Sequence, residues 1–136
     1  MRAGRWRIIC FALCLISVPS LAASGAWHAS ASGPALSYRG GWFKSRPLTA
    51  PAGISGNITE VSWRYKLTGP APSGLQVQLC STQRCTPLEG ASGVTHGLAQ
   101  VEAGETLHMV FGVAGKGTLP PGLRVLSAGV MVNYRQ

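Results

Sequence analysis

The stretch "VSWRYKLTGPAPSGLQVQLCSTQRCTPLEG", Val61 to Gly90, decides the fold. Val61, Trp63, Tyr65 and Leu67 alternate with Ser62, Arg64 and Lys66. Successive strand side chains point to opposite faces, so this is the pattern of a strand with one face buried. "GPAPSG", Gly69 to Gly74, then breaks it with residues that preset or permit turn conformations. Leu75, Val77 and Leu79 alternate with Gln76 and Gln78, a second strand that ends on Cys80.

Cys80 and Cys85 flank Ser81, Thr82, Gln83 and Arg84, an ordinary length for a hairpin loop. If Cys80 faces Cys85, then Leu79 faces Thr86, Val77 faces Leu88 and Leu75 faces Gly90. The apolar residues of both arms then share one face and the cysteines share the other, so register and hydrophobic pattern agree. Opposed strand residues have Cα atoms about 4.5–5.5 Å apart, within disulfide range. A bridge closing so short a loop contributes about 2 kcal/mol, pinning a loop rather than holding a fold. A redox pair stands as one alternative, although that chemistry favours two intervening residues and a helix N-terminus. A zinc site is the other; it needs four ligands, and His28, His96 and His108 show no local spacing.

Working outward, Leu107, Met109, Phe111 and Val113 predict a strand within Thr106 to Val113, with Met109 inward and His108 outward. Leu123 and Val125 share one parity and Val130, Val132 and Tyr134 the other, which requires a bulge or loop near Ser127 to Gly129. Weaker strands are expected at Ala26–Ser30, Ala35–Arg39 and Val94–Leu98. Gly40 to Gly56 is polar, Pro-containing and irregular and reads as a long mobile loop or an edge crossing. No stretch sustains helical periodicity. The fold class is therefore all-β: a single compact antiparallel β-sandwich, or a small barrel, with a pinned hairpin.

The N-terminus predicts the compartment. Arg2, Arg5 and Arg7 precede an apolar run from Ile8 to Val18, and Pro19 leads into Ser20-Leu21-Ala22. A basic start, a short apolar stretch and a small-x-small site make a secretory signal peptide. The run is about half of the roughly 20 residues a spanning helix needs. Neither Cys10, after Ile9, nor Cys14, after Leu13, sits in a lipid-attachment context. Residues 1–22 are expected to be cleaved, leaving 23–136 as one domain with no membrane segment. Cleavage removes three of the 12 basic residues, leaving nine against four acidic ones, a net +5. These nine form no run, and an exported chain does not meet nucleic acid, so none is assigned as a partner.

The only carboxylate side chains are Glu60, Glu89, Glu102 and Glu105, and aspartate is absent. An aspartate-dependent triad, an aspartic dyad or an EF-hand loop is therefore excluded. "GVAGKGT" fails the phosphate-loop pattern on both sides of Gly115-Lys116. His96 and His108 could serve as bases, but His108 reads better as a solvated strand histidine, and His96, in a Gly-flanked stretch, has no more support. His28, His108, Met109 and Met131 offer copper-type ligands, but core packing of Met109 explains that residue better. No catalytic residue, metal or cofactor is assigned. Trp63 and Tyr65 are read as core, whereas Trp42 and Phe43, in the irregular segment, are candidates for an exposed contact.

"WRYKLTGPAPSGLQVQLC" from Trp63, with "RC" at Arg84-Cys85 and "LEGASG" from Leu88, resembles the flagellar FlhE family. "VNYR" from Val132, "W-x-A-S" from Trp27 and "YRG" from Tyr38 are similar too. The resemblance is densest from Trp63 to Gly93 and sparse over Gly40–Gly56 and Val94–Thr118. It implies a non-enzymatic, signal-peptide-bearing periplasmic protein of flagellar assembly. It further implies contact with export apparatus or rod components, chaperone-like activity and limitation of proton leakage through the export gate. On the residues themselves, the contact surface is expected at the tip, Ser81 to Arg84, with Trp42 and Phe43 second. The alternative is a periplasmic carbohydrate-binding or envelope-scaffold module without a flagellar role.

Overall fold

The computed structural model describes residues 24–136. The expected leader, residues 1–22, lies outside the described residues, as do Cys10 and Cys14. Eight strands follow in chain order: β1 Ser24–Ala31, β2 Trp42–Lys44, β3 Asn57–Leu67, β4 Leu75–Cys80, β5 Cys85–Leu88, β6 Ser92–Thr95, β7 His108–Val113 and β8 Val125–Arg135. They form two four-stranded sheets, ordered β1-β8-β3-β6 and β2-β7-β4-β5, with every pair antiparallel. Among the described residues no strand pairing closes one sheet onto the other, so they form the sandwich and not the barrel. Among the described residues there is no helix, and hence none long and apolar enough to cross a membrane.

The alternation seen in the sequence becomes the sandwich interior. Val61 and Trp63 of β3 face Leu79 of β4 and Met109 and Phe111 of β7 across one buried core. Each fully buried leucine, such as Leu79, contributes roughly 1.5–3 kcal/mol relative to exposure. The Tyr65 ring meets Phe111 edge-on at 5.3 Å between centroids, joining the two layers. Burial also pushes the Tyr65 phenol above its ordinary pKa. The Trp27 indole N–H donates to the Ala103 carbonyl at 2.9 Å, so the polar edge of a buried ring is satisfied.

β8 is central, bonded to β1 on one side and to β3 on the other. Its pairing with β3 slips twice, with Thr59 extra on β3 and Leu126 extra on β8. The Leu126 slip resolves the parity conflict: Val125 and Ala128 are both buried while Leu126 and Ser127 between them are exposed. At the other bulge the Thr59 hydroxyl donates to the Asn133 carbonyl of β8 at 3.0 Å, tying the extra residue to the neighbouring strand.

Three expectations need correction. Ala35–Arg39 is not a strand but makes only isolated bridges, Ala35 to Arg124 and Tyr38 to Thr118. Its opposing segment contains Pro120 and Pro121, which lack the N–H a continuous ladder needs. The strand expected at Val94–Leu98 is displaced to Ser92–Thr95, and Leu98 instead plugs the core from a turn. The segment Gly40–Gly56 is irregular but contributes the short edge strand β2 and a bridge from Leu48 to Leu107.

Candidate interaction surface

The β4–β5 hairpin has the register the sequence implies: Cys80 faces Cys85, Leu79 faces Thr86 and Val77 faces Leu88. The two cysteines are disulfide-bonded, with Cα atoms 3.9 Å apart. Val77, Leu79, Thr86 and Leu88 point into the core, and the bridge lies on the opposite face. Two adjacent thiols committed to one bond serve neither as metal ligands nor as a free nucleophile.

The tip between them is tightly bonded. The Ser81 hydroxyl accepts from the amides of Gln83 at 3.0 Å and Arg84 at 3.1 Å, a side-chain turn that fixes the loop. Glu105, more than twenty residues away in sequence, then clamps it. One carboxylate oxygen accepts from the Thr82 amide at 2.8 Å and the Thr82 hydroxyl at 2.6 Å. The other accepts from the Gln83 side-chain amide at 3.2 Å. Arg84 turns the other way, donating through Nε to the Gly97 carbonyl at 3.0 Å and through Nη2 to the Ala99 carbonyl. The Arg84 fork thus fastens the tip to the turn at His96–Gln100, whose last residue has a left-handed φ of 74°. Gly97 must be glycine here, because a Cβ would stand 1.9 Å from the Thr86 hydroxyl. Ser81, Thr82, Gln83 and Arg84 are therefore mutually ordered, and their polar groups are largely engaged within the chain.

Trp42 and Phe43 are adjacent on β2 and so point to opposite faces. Phe43 faces Phe111, packs half-buried against the core and meets Tyr38 edge-on at 5.2 Å. Trp42 faces outward over Gly112, and a Cβ on Gly112 would stand 2.6 Å from the indole. The glycine thus lets the ring lie flat on the sheet. Trp42 is 54% exposed and Tyr38 50% exposed. Beside the indole lies a hollow of about 200 Å³ lined by Gly40, Gly41, Gln76, Gly112, Val113 and Ala114.

The histidines do not converge. His28 and Met131 are cross-strand neighbours on the outer face of one sheet, whereas His108 and Met109 belong to the other. Met109 is fully buried, pointing away from His108. Burial, and then the Lys44 charge, holds the His108 pKa below its ordinary value. His96 makes a solvent-exposed contact with Glu60 at 3.3 Å. Among the described residues no three His, Cys, Asp or Glu side chains gather as a metal site.

The model for the family described as "Flagellar protein FlhE" matches residues 33–135. The chain belongs to the FlhE family. It is 52% identical over 114 residues to Flagellar protein FlhE of Salmonella typhimurium, covering 84% of this chain and 88% of that one. The Escherichia coli K12 protein of the same name is 46% identical over 114 residues, with the same coverage. A crystal structure of FLHE is similar at a TM-score of 0.80 and 51% identity, covering 83% of this chain and 98% of that one. Membership supports a flagellar accessory role. Within this FlhE-family chain, the sequence offers the tip and Trp42 as candidates but gives no sign of Glu105 or of the Gly97 and Ala99 carbonyls that hold the tip. Glu105 lies three residues after Glu102 in "VEAGETL", and no local spacing marks Thr82 and Gln83 as its partners.

Proposed function

We propose that this chain is a non-enzymatic periplasmic accessory protein of flagellar assembly that works by protein contact. Residues 1–22 direct its export and are cleaved, and its partners are export apparatus or rod components. Contact at that apparatus serves a chaperone-like role, limits proton leakage, or both. Family membership supports the flagellar assignment. One observation supports the contact reading: a tryptophan held flat and half-exposed on a rigid sheet beside a glycine-lined hollow. Exposed aromatics anchored against backbone are the groups that dominate protein interfaces, because they bring large area at small entropic cost. Trp42 forms the anchor, Phe43 sits on the opposite, core-facing side with Tyr38 against its edge, and the tip Ser81–Arg84 supplies a second, pre-ordered element.

Placing a photo-crosslinking amino acid at Trp42 in flagellated cells tests the reading. Crosslinks to a rod or export-apparatus component are expected. Trp42→Ala is expected to reduce motility or partner pull-down while leaving the melting temperature unchanged. If Trp42→Ala and Arg84→Glu both leave motility and pull-down at wild-type level, the contact surface is wrong.

A further inference from the structure

Two four-stranded sheets have four edges, and three are blunted. β2 is three residues long and carries Lys44, β5 is four residues long and contains Pro87, and β6 is four residues long with Gly93 inside it. Short length, lysine and proline are the devices by which sheets avoid pairing with other chains. β1 has none of them. It runs eight residues, SGAWHASA, without lysine, proline or bulge, and among the described residues it pairs only with β8.

The phase of its free groups is fixed by a neighbouring bond. The Gly33 amide donates to the Val125 carbonyl of β8 at 3.1 Å, so Ser32 before it points away from β8, and there its carbonyl accepts from the Arg46 amide at 3.3 Å. In a strand the N–H and C=O of one residue point the same way and alternate along the chain. Ser24, Ala26, His28 and Ser30 therefore present their backbone groups outward, and Gly25, Trp27, Ala29 and Ala31 present theirs to β8. Among the described residues, no other backbone group bonds the outward set.

We propose that the β1 edge is a strand-addition site for an extended acidic segment of a partner protein. The charge follows from the two ends. Arg46 stands at the Ser32 end, and Arg135 of β8 lies beside Ser24 at the other. Both are exposed, and neither pairs with a carboxylate among the described residues. An extended segment lying along the eight residues of β1 spans about 26 Å at roughly 3.3 Å per residue, so acidic residues near both its ends meet the two guanidinium groups. A second copy of this chain fits less well. Two β1 edges pairing antiparallel about a two-fold axis would bring the Arg135 end of each against the Arg46 end of the other, setting like charges together twice. The inference rests on the reading that the chain acts by protein contact, but it uses a surface separate from Trp42.

The test is amide hydrogen exchange on the folded protein. The probes are two end-blocked ten-residue peptides of alternating Thr and Val, one with Glu at both ends and one with Lys. The Glu peptide is expected to slow exchange at Ser24, Ala26, His28 and Ser30 at least ten-fold, and to bind at least ten-fold more tightly than the Lys peptide. Arg46→Glu combined with Arg135→Glu reverses that preference. His28→Pro abolishes the protection yet keeps the fold, because its N–H belongs to no ladder bond. Trp42→Ala leaves the protection intact, so loss of the Trp42 surface and loss of the edge site are separately visible. The proposal is overturned by no slowing at saturating peptide, by equal binding of both peptides, or by peptide-free protection that grows with protein concentration.

Discussion

Removing Glu105 should release the tip of the hairpin while leaving the sandwich folded. In the native state its carboxylate accepts three hydrogen bonds, two from Thr82 and one from Gln83. Glu105→Ala removes all three acceptors at once. A typical bond contributes about 0.5–1.5 kcal/mol net, and bonds to a charged group more. These three are exposed, so solvent competes and screening weakens the charge. The sum is then about 1–2 kcal/mol rather than the larger figure a buried carboxylate would give. With a urea m-value of about 2 kcal/mol per molar, the middle of the usual range for small proteins, the unfolding midpoint should fall by about 0.5–1 M. Glu105→Gln should cost less, because its carbonyl oxygen still accepts from Thr82, while its amide now faces the Gln83 amide donor to donor. The local readout is sharper than the global one: the Thr82 amide loses its acceptor, and its exchange should accelerate at least ten-fold. Glu89→Ala serves as control, since that side chain is exposed and carries no comparable clamp. If Glu105→Ala matches Glu89→Ala within about 0.3 kcal/mol, a typical additivity error, and Thr82 exchange does not change, the clamp does not order the tip.

Replacing Cys80 and Cys85 with serine should lower stability by about 2 kcal/mol, since the bridge closes a short loop; thermal melts with and without reductant should show the same loss in the native protein and none in the variant. Trp27→Phe leaves the Ala103 carbonyl without its indole donor and should cost about 1–3 kcal/mol in denaturant unfolding. Acidification through the ordinary histidine range near 6.5 should destabilise the protein through His108. Its folded pKa is depressed, so the unfolded state takes up the proton first, and stability falls until the folded pKa is passed. His108→Gln should flatten that part of the stability–pH curve, Lys44→Met should flatten it partly, and NMR titration should place His108 lowest if Lys44 and burial act as described.

The hairpin was legible because every determinant of it is local. The alternation of Leu75, Val77 and Leu79 fixes one face, the four-residue loop fixes the turn, and together they place Cys80 opposite Cys85. A parity change inside the last strand was legible for the same reason, although the sequence left open a bulge or a loop near Ser127 to Gly129; the structure makes it a bulge just before that stretch, at Leu126. The displaced β6 was not. Val94, Leu98 and their neighbours look apolar in turn, but Val94 is half-exposed on the outer face while Leu98 is buried from a turn. Which of them enters the core depends on where the chain crosses from one sheet to the other, and that is not a local property. Trp42 and Phe43 gave the same difficulty. Both are large and apolar in an irregular stretch, and only the pairing of β2 with β7 assigns one to solvent and the other to the core.

By itself, then, the sequence determined an all-β chain with a pinned hairpin, because side-chain period, turn chemistry and short-range loop closure act between residues close along the backbone. Only the tertiary structure decided that β5 and β6 part into different sheets, that β8 sits between β1 and β3, and that Glu105 and Arg84 fasten the tip. Those choices depend on which strand neighbours which. Alternation tells each strand which face to bury but not which backbone to bond, so partners distant in sequence are selected by the packing of the whole sandwich.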